Sequence, residues 1–150
     1  MELRFLSYEN LPPEPLATSL LALLIDVFAN QSREEFSDQL QYHLKRTGLQ
    51  FELAVVGERV VGCKLGYERQ PGEFYSWLGG VHPDFRGQRI ASELMKRQHE
   101  WCRQHGYQTI RTQTYNQWRS MLIMNLQHGF DIVGTVQGKR GLTIVLEKKL

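Results

Sequence analysis

The sequence has little of the chemistry that marks several large classes of protein. Only two of its 150 residues are cysteines. Cys63 and Cys102 fall inside predicted elements without a paired framework, which excludes a secreted disulfide scaffold and favours a reducing compartment. The formal net charge of +2 is too small to indicate nucleic acid as a partner. The five histidines show no metal-ligand spacing, so we expect no metal site.

The chain also lacks an apolar run long enough to span a bilayer. The apolar segment 16–28 is short and amphipathic, and the opening residues lack the basic stretch of a secretion signal. We therefore expect no membrane contact and a cytoplasmic location. With 41% hydrophobic residues, the chain can bury one core, which predicts a single domain over residues 1–150.

Hydrophobic periodicity predicts eleven elements in the order β-α-α-β-β-β-α-β-α-β-β. The predicted strands are residues 3–8, 51–56, 60–68, 73–81, 110–115, 132–137 and 142–147. A capping box formed by Ser32 and Glu35 begins the second helix. This order predicts an α/β fold (an α+β mixed sheet) of about seven strands with helices on both faces.

The most informative segment is residues 81–92, where a predicted strand ends in a turn and a helix begins. The free amides and the positive end of the helix dipole favour an anion such as phosphate. Arg86 and Arg89 flank the turn and add positive charge. The spacing of glycines fits neither the P-loop nor the dinucleotide fingerprint. Taken alone, the segment also fits an ordinary strand–turn–helix joint with surface arginines.

This segment resembles motif A of the GNAT acetyltransferases, commonly Val-x-Pro-x-x-Arg-Gly-x-Gly-x-Gly/Ala, whose turn binds the pyrophosphate of acyl-CoA. Val81, Pro83, Arg86, Gly87 and Ala91 match it position for position, whereas Arg89 stands where the central glycine is usual. The residues to which the resemblance assigns cofactor binding are Gly80, Val81, Arg86, Gly87, Gln88, Arg89, Ile90, Ala91, Ser92, Asn116 and Asn125.

A second segment, residues 116–130, resembles the family's short helix Met-x-x-x-Asn-x-x-x-Gly-Phe. Met121, Asn125, Gly129 and Phe130 match it in register. By itself this segment also fits a short core helix closed by a glycine. Many relatives carry a tyrosine at the position of Asn125 to protonate the departing thiolate. An amide can hydrogen-bond a sulfur but cannot supply that proton.

The two signatures in the expected order imply a GNAT fold over the chain and an acetyl-CoA-dependent N-acetyltransferase. Such an enzyme moves an acetyl group from the CoA thioester to a primary amine by direct transfer in a ternary complex. The acceptor is then a small-molecule amine or a peptide N-terminus, and the family habit leaves a homodimer open. The alternative is a catalytically silent GNAT-fold module that binds acyl-CoA or a partner protein.

The catalytic candidates are Glu73, Tyr75 and Asn125. The resemblance makes Glu73 the general base, acting through water, while its place beside Pro71-Gly72 also fits a solvated hairpin residue. Alternation puts Tyr75 on the same face of the strand, as a catalyst or as a pocket wall.

The glycines at the end of the fourth strand and the residue after the fifth each have two interpretations. Gly79 and Gly80 fit a bulge or an unpaired edge that holds the donor through the main chain of Gly80 and Val81. They also fit a simple relief of packing against a helix. Asn116 fits a contact with the pantetheine arm or a helix N-cap.

The walls of the acceptor pocket are expected from three segments. They are residues 29–33, residues 67–75 and the last hairpin, and together they mix acidic and basic side chains. The sequence therefore predicts an acceptor site in which no one sign of charge dominates.

Overall fold

The computed structural model describes residues 2–150, which form seven strands, four α-helices and one 3₁₀ helix. The strands are β1 (Leu3–Tyr8), β2 (Gln50–Val56), β3 (Arg59–Gln70), β4 (Glu73–Val81), β5 (Thr109–Tyr115), β6 (Asp131–Gly138) and β7 (Gly141–Lys149). The helices are α1 (Leu16–Val27), α2 (Arg33–Arg46), α3 (Ile90–Gln104) and α4 (Arg119–Gln127), with the 3₁₀ turn at Pro83–Phe85. The observed order confirms the predicted one.

The seven strands form one mixed sheet in the order β1-β2-β3-β4-β5-β7-β6. All neighbours are antiparallel except β4 and β5, which are parallel. That parallel pairing covers only Glu73–Tyr75 against Thr109–Arg111. Beyond these residues the two strands separate, so the middle of the sheet opens toward their carboxyl ends.

An extra residue in β4 accompanies this separation. Leu65 of β3 lies opposite Leu78 and the next residue, Gly66, lies opposite Ser76, which leaves Trp77 without a partner on β3. A bulge of this kind bends its strand and increases the local twist. The bulge lies just after the last pair with β5, where the gap begins.

Helices cover both faces of the sheet, as the sequence predicts. Cys63 and Leu65 of β3 pack into the core formed with α1 and α2. Gly62 points to the other face, where Ile90 and Leu94 of α3 would lie 3.0 and 3.3 Å from a Cβ atom placed on it. Side chains alternate along a strand, so β3 is buried on both sides.

The loop between α1 and α2 is held in place by the predicted capping box. The Ser32 hydroxyl accepts a hydrogen bond from the Glu35 amide at 3.1 Å, and the Glu35 carboxylate accepts one from the Ser32 amide at 3.4 Å. These two bonds satisfy amides that the first turn of a helix leaves free. The loop is thereby fixed beside the gap between β4 and β5.

Candidate active site

The gap between β4 and β5 is a cleft of about 770 Å³ that passes through the sheet. On one face it is lined by residues of α1 and α2 such as Val27 and Phe36. On the other face it is lined by residues of α3 and α4 such as Ile90 and Asn125. A cleft with two faces can receive two ligands from opposite sides of the sheet.

The turn before α3 has the backbone of an anion site. Gly87 has φ 81°, and no atom lies within 4 Å of a Cβ built on it. Arg89, the N-cap of α3, is left-handed with φ 62° and ψ 22°, and within residues 2–150 it is the one non-glycine residue with positive φ. No side chain caps the helix, so the amides of its first turn are free to meet an anion.

Arg89 therefore keeps the conformation that the usual glycine of motif A would supply. A left-handed residue with a Cβ costs roughly 1–2 kcal/mol relative to its right-handed form. The chain carries that strain in order to keep the turn and places a guanidinium beside it. The turn and its free amides fit a pyrophosphate.

Two side-chain contacts tie this turn to its neighbours. The Arg86 Nε donates a hydrogen bond to the Val81 carbonyl at 3.1 Å, which links the turn to the end of β4. The Ser92 hydroxyl and the His128 Nε2 lie 3.0 Å apart, which links the start of α3 to the end of α4. The amide of Ser92 makes no part of this contact and remains free for a ligand.

Most of the cofactor-binding residues predicted from the sequence line the cleft. They are Gly80, Val81, Arg86, Gly87, Arg89, Ile90, Ala91, Ser92 and Asn125. Gln88 and Asn116 do not line it, and both are exposed on the surface of their turns.

The two glycines of β4 differ in their surroundings. A Cβ on Gly80 would lie 2.7 Å from Cγ1 of Val27, so this glycine lets α1 approach the strand. A Cβ on Gly79 would lie 3.3 Å from the Lys64 Nζ. Both glycines line the cleft as well, so relief of packing and an open strand edge occur together.

The structure does not bring Glu73 into the cleft. Glu73 lies in the paired part of β4, opposite Thr109, and its buried carboxylate accepts a hydrogen bond from Arg69 Nη1 at 2.6 Å. The separation of the strands begins only after Tyr75. The predicted base is therefore held in an ion pair below the opening.

Tyr75 and Asn125, the other two catalytic candidates, do line the cleft. Burial, with a smaller effect of Tyr67, raises the pKa of Tyr75 to about 12, so its hydroxyl stays protonated near neutral pH. Asn125 is a buried residue of α4 and offers an amide to the cleft. Neither side chain accepts a proton readily at neutral pH.

Lys64 is a candidate that the sequence analysis missed. It lies on β3, is 8% exposed and lines the cleft. Within residues 2–150 no carboxylate lies within 4 Å of its ammonium group. Burial lowers the pKa of Lys64 to about 8. The signal in the sequence is a single charge inside the otherwise apolar and glycine run 60–66.

The charge of the cleft corrects the mixed wall expected from the sequence. The charged side chains that line it are Lys64, Arg86, Arg89, Arg119 and Arg140, and no aspartate or glutamate of the described chain joins them. Of the predicted acceptor segments, Asn30, Gln31, Tyr75 and Arg140 line the cleft, while Arg33, Glu68 and Lys139 do not. All the charged side chains of the cleft are therefore basic.

The cysteines take no part in this surface. Cys63 and Cys102 are both buried and free, and burial raises the pKa of each thiol to about 12. A thiolate nucleophile is thus strongly disfavoured at either position. In the part of the chain that the structure describes, no group of three His, Cys, Asp or Glu side chains is arranged to hold a metal ion. None of the helices in that part is long and apolar enough to cross a membrane.

Together, the divided strand pair and the uncapped turn define a cleft with free helix amides beside the open edge of β4, an arrangement that suits a phosphate-bearing ligand. The family model described as acetyltransferase (GNAT) family matches residues 16–130. The chain belongs to the GNAT acetyltransferase family, whose members are enzymes. A comparison with curated protein sequences finds no match.

Solved structures with the same fold include acetyltransferases that were crystallised with acetyl-CoA or coenzyme A. A GNAT family acetyltransferase from Elizabethkingia anophelis with acetyl-CoA bound has a TM-score of 0.73 at 17% identity, covering 99% of this chain and 98% of that chain. The PaiA N-acetyltransferase from Thermoplasma acidophilum in complex with coenzyme A has a TM-score of 0.75 at 12% identity, covering 100% of both chains.

A third solved structure is an enzyme that acts on a protein. The ribosomal-protein-S18-alanine N-acetyltransferase from Escherichia coli has a TM-score of 0.79 at 11% identity, covering 99% of this chain and 94% of that chain. These likenesses establish the fold. The two bound structures and the family assignment are consistent with acetyl-CoA as the co-substrate.

Proposed function

We propose that this protein is an acetyl-CoA-dependent N-acetyltransferase that transfers an acetyl group to a primary amine directly, in a ternary complex. The observation that carries the proposal is the cleft that crosses the sheet where β4 and β5 separate. Such a cleft admits a donor from the α3 face and an acceptor from the α1–α2 face. The solved relatives that hold acetyl-CoA or coenzyme A support the choice of donor.

The donor side of the site is built from the turn before α3 and the open edge of β4. The free amides at residues 90–92 and the guanidinium groups of Arg86 and Arg89 would hold the pyrophosphate. The main chain at Gly80 and Val81 is paired with β3 but has no strand partner on the β5 side, where it would bind the pantetheine arm, and the Val81 amide would polarise the thioester carbonyl. When bound, acetyl-CoA supplies an acetyl group already activated as a thioester.

Lys64 would be the general acid on the donor side. Its ammonium group lies on the α3 face of the sheet beside Gly79, with a pKa that burial lowers to about 8. A free thiol has a pKa of about 8.5, so the two groups are matched for proton transfer. Lys64 would donate a proton to the sulfur as the carbon–sulfur bond breaks. Asn125 would hydrogen-bond the same sulfur.

The acceptor amine would enter the cleft as a neutral nucleophile. Positive charge near an ammonium group favours its deprotonated form, and the cleft supplies several such charges. This basic lining would lower the pKa of the incoming amine without a carboxylate base. Glu73 has no part in this scheme, because its carboxylate is bound to Arg69 outside the cleft.

The test of the donor site is isothermal titration of the protein with acetyl-CoA and with free CoA. We expect micromolar binding of both that Arg86→Glu abolishes. Lys45→Glu makes the same change of net charge on an exposed position of α2 outside the cleft and should bind normally. Equal binding by the Arg86→Glu variant would reject the assigned pyrophosphate site.

Release of CoA in the presence of amines then separates the enzyme from its alternative. An enzyme releases thiol well above the rate of spontaneous hydrolysis with at least one primary amine. A GNAT-fold module without turnover binds acetyl-CoA and releases none. Arg89 in the usual glycine position and Asn125 in place of tyrosine are the two features that motivate that alternative.

Two further predictions concern the setting of the protein. A cytoplasmic location remains a prediction, because two free cysteines are typical of proteins in reducing compartments.

A homodimer also remains a prediction, which rests on the habit of the family. The edge strand β6 offers exposed apolar side chains, Ile132, Val133 and Val136, for such a contact. Sedimentation equilibrium measures the oligomeric state directly.

A further inference from the structure

The acceptor end of the cleft carries a positive charge of its own. Of the five cationic side chains that line the cleft, Arg140 is the one that comes from the turn between β6 and β7. Arg86 and Arg89 belong to the turn before α3, Arg119 begins α4, and Lys64 lies on β3. Arg140 therefore stands apart from the assigned donor site.

A contact across the cleft fixes the position of Arg140. The side-chain amide of Asn30, in the loop between α1 and α2, lies against the guanidinium; with its orientation assigned from these partners, its oxygen accepts hydrogen bonds from Nη1, at 2.8 Å, and from Nη2. No carboxylate of residues 2–150 lies within 4 Å of Arg140. The guanidinium is oriented by a neutral partner, so its charge remains uncompensated.

The same cleft has an aromatic wall, whose Phe28 lies two residues before Asn30, the partner of Arg140. Phe28, which lines the cleft, packs against Phe36 and Trp118 with ring centroids 6.1 and 6.4 Å away. Trp118 also meets Tyr115 edge to face at 5.1 Å. Flat apolar walls of this kind bind a compact apolar or aromatic group.

A polyamine or an aminoglycoside brings several positive charges, and this cleft has no acidic side chain to receive them. Desolvating those charges beside arginines is unfavourable. An acceptor that carries one carboxylate as well as its amine is favoured instead, because the guanidinium group of an arginine can form two parallel hydrogen bonds to a carboxylate.

We propose that the acceptor is an amino acid with an apolar or aromatic side chain, whose free carboxylate binds Arg140 while its side chain lies against the aromatic wall. This inference rests on the proposed acetyltransferase function and names its substrate class. The amine nitrogen forms the new bond to the acetyl carbon and the carbon–sulfur bond breaks. Lys64 gives a proton to the sulfur, so that CoA leaves as a thiol, and the proton that the amine nitrogen loses restores the one on Lys64.

The experiment compares phenylalanine and leucine with their carboxamides, with phenethylamine and with spermidine, by kcat/KM from CoA release. We expect the free acids to exceed their carboxamides by about 10-fold or more, because a charge-assisted pair is lost in the carboxamide. In Arg140→Met that ratio falls to about one. Lys139→Met, a neighbouring change outside the cleft, keeps the ratio.

Binding in the presence of CoA provides a second readout that needs no turnover. Calorimetry with N-acetylphenylalanine and its carboxamide tests the carboxylate preference directly, again with Arg140→Met. Tighter binding of the acid without any CoA release would support the acceptor class and reject the transferase. CoA release with carboxamides or spermidine at least as fast as with acids would overturn the acceptor class and leave the transferase intact. No binding and no release with any ligand would reject both.

Discussion

Lys64 lies directly opposite Gly79 in the β3–β4 pair, and its Nζ is 3.3 Å from the point where a Cβ of residue 79 would stand. Because Gly79 has no side chain, the ammonium group of Lys64 reaches over the strand to the cleft. This part of β4 has no partner on the β5 side. The two residues together therefore place a titratable nitrogen beside the edge proposed for the thioester.

Replacing Lys64 by methionine should slow acetyl transfer on the order of 10- to 100-fold. This factor is at or below the lower end of the rate enhancements that general acid catalysis gives, because a thiolate is a good leaving group even when it is not protonated. Lys64 is protonated below its pKa of about 8, so the kcat of the wild type should decline as pH rises through that value. Stopped assays of CoA release from pH 6 to pH 10 measure both effects.

The variant Lys64→Arg separates charge from proton donation. Arginine keeps the positive charge but does not titrate in this range. We expect the alkaline decline to disappear in both variants and the rate to stay low in both. An alkaline limb that persists in Lys64→Met would assign the decline to another group.

Replacing Lys64 by methionine should also stabilise the fold. The pKa of Lys64 is lowered from 10.5 to about 8, so the buried ammonium costs stability at every pH below about 8, and this cost fades between about 8 and 10.5. At pH 7 we expect Lys64→Met to raise the free energy of unfolding by about 1 to 3 kcal/mol. Urea denaturation should show the difference between variant and wild type shrinking as pH rises to about 10.5.

Two substitutions of Arg89 should separate the effect of its backbone strain on stability from the effect of its charge on acetyl-CoA binding. Arg89→Gly and Arg89→Ala both remove the guanidinium, and we expect each to weaken acetyl-CoA binding by about 10-fold. Glycine accepts the left-handed backbone that alanine does not, so Arg89→Gly should be about 1 kcal/mol more stable than Arg89→Ala. Calorimetry and denaturant unfolding on the pair test the two effects, and equal stability would reject the strain.

Gly80→Ala should destabilise the protein by about 1 to 3 kcal/mol, because the new methyl group would lie 2.7 Å from Cγ1 of Val27. Adding Val27→Ala removes the obstructing atom and should recover part of the loss, a coupling that a double-mutant cycle measures. Gly134→Ala serves as the control, because nothing lies within 4 Å of a Cβ at that position. Additive effects of the two substitutions would contradict this close approach.

Glu73→Gln decides between the base predicted from the sequence and the ion pair seen in the structure. The partner Arg69 is half-exposed, so loss of the pair should cost at most about 1 kcal/mol. With the carboxylate outside the cleft, we expect kcat to stay within about twofold of the wild type. A fall of 100-fold with normal acetyl-CoA binding would restore Glu73 as the general base.

The order of elements could be predicted because local patterns specify it. The Ser32–Glu35 capping box begins α2 as expected, and β1 and β4 have the predicted bounds. The turn at residues 86–89 was located by its glycine and arginines, and the structure adds that Arg89 takes the left-handed conformation. These features depend on neighbours in sequence, for which periodicity and capping rules are adequate.

The orientation of side chains around the cleft could not be predicted in the same way. The sequence predicts that Glu73 and Tyr75 share one pocket, but β4 separates from β5 only after Tyr75, so Tyr75 lines the cleft and Glu73 does not. Glu68 and Lys139 lie in the predicted wall segments yet face away from the cleft. Where strands bulge and separate, the sequence does not determine which side chains line a cleft. The basic lining of the site is therefore visible only in the structure.

Three residue pairs of β4 and β5, with one hydrogen bond at 3.0 Å from the Thr112 hydroxyl to the Ser76 carbonyl, join strands β1–β4 to strands β5–β7 in the sheet within residues 2–150. A ligand lying in the gap would bridge these two half-sheets in the way a missing strand does. Backbone amides of residues 112–115 and 76–81 should then exchange their hydrogens with solvent more slowly once acetyl-CoA is bound. The gap proposed for the donor is thus also the place where the sheet has the fewest hydrogen bonds, and bound donor would strengthen it there.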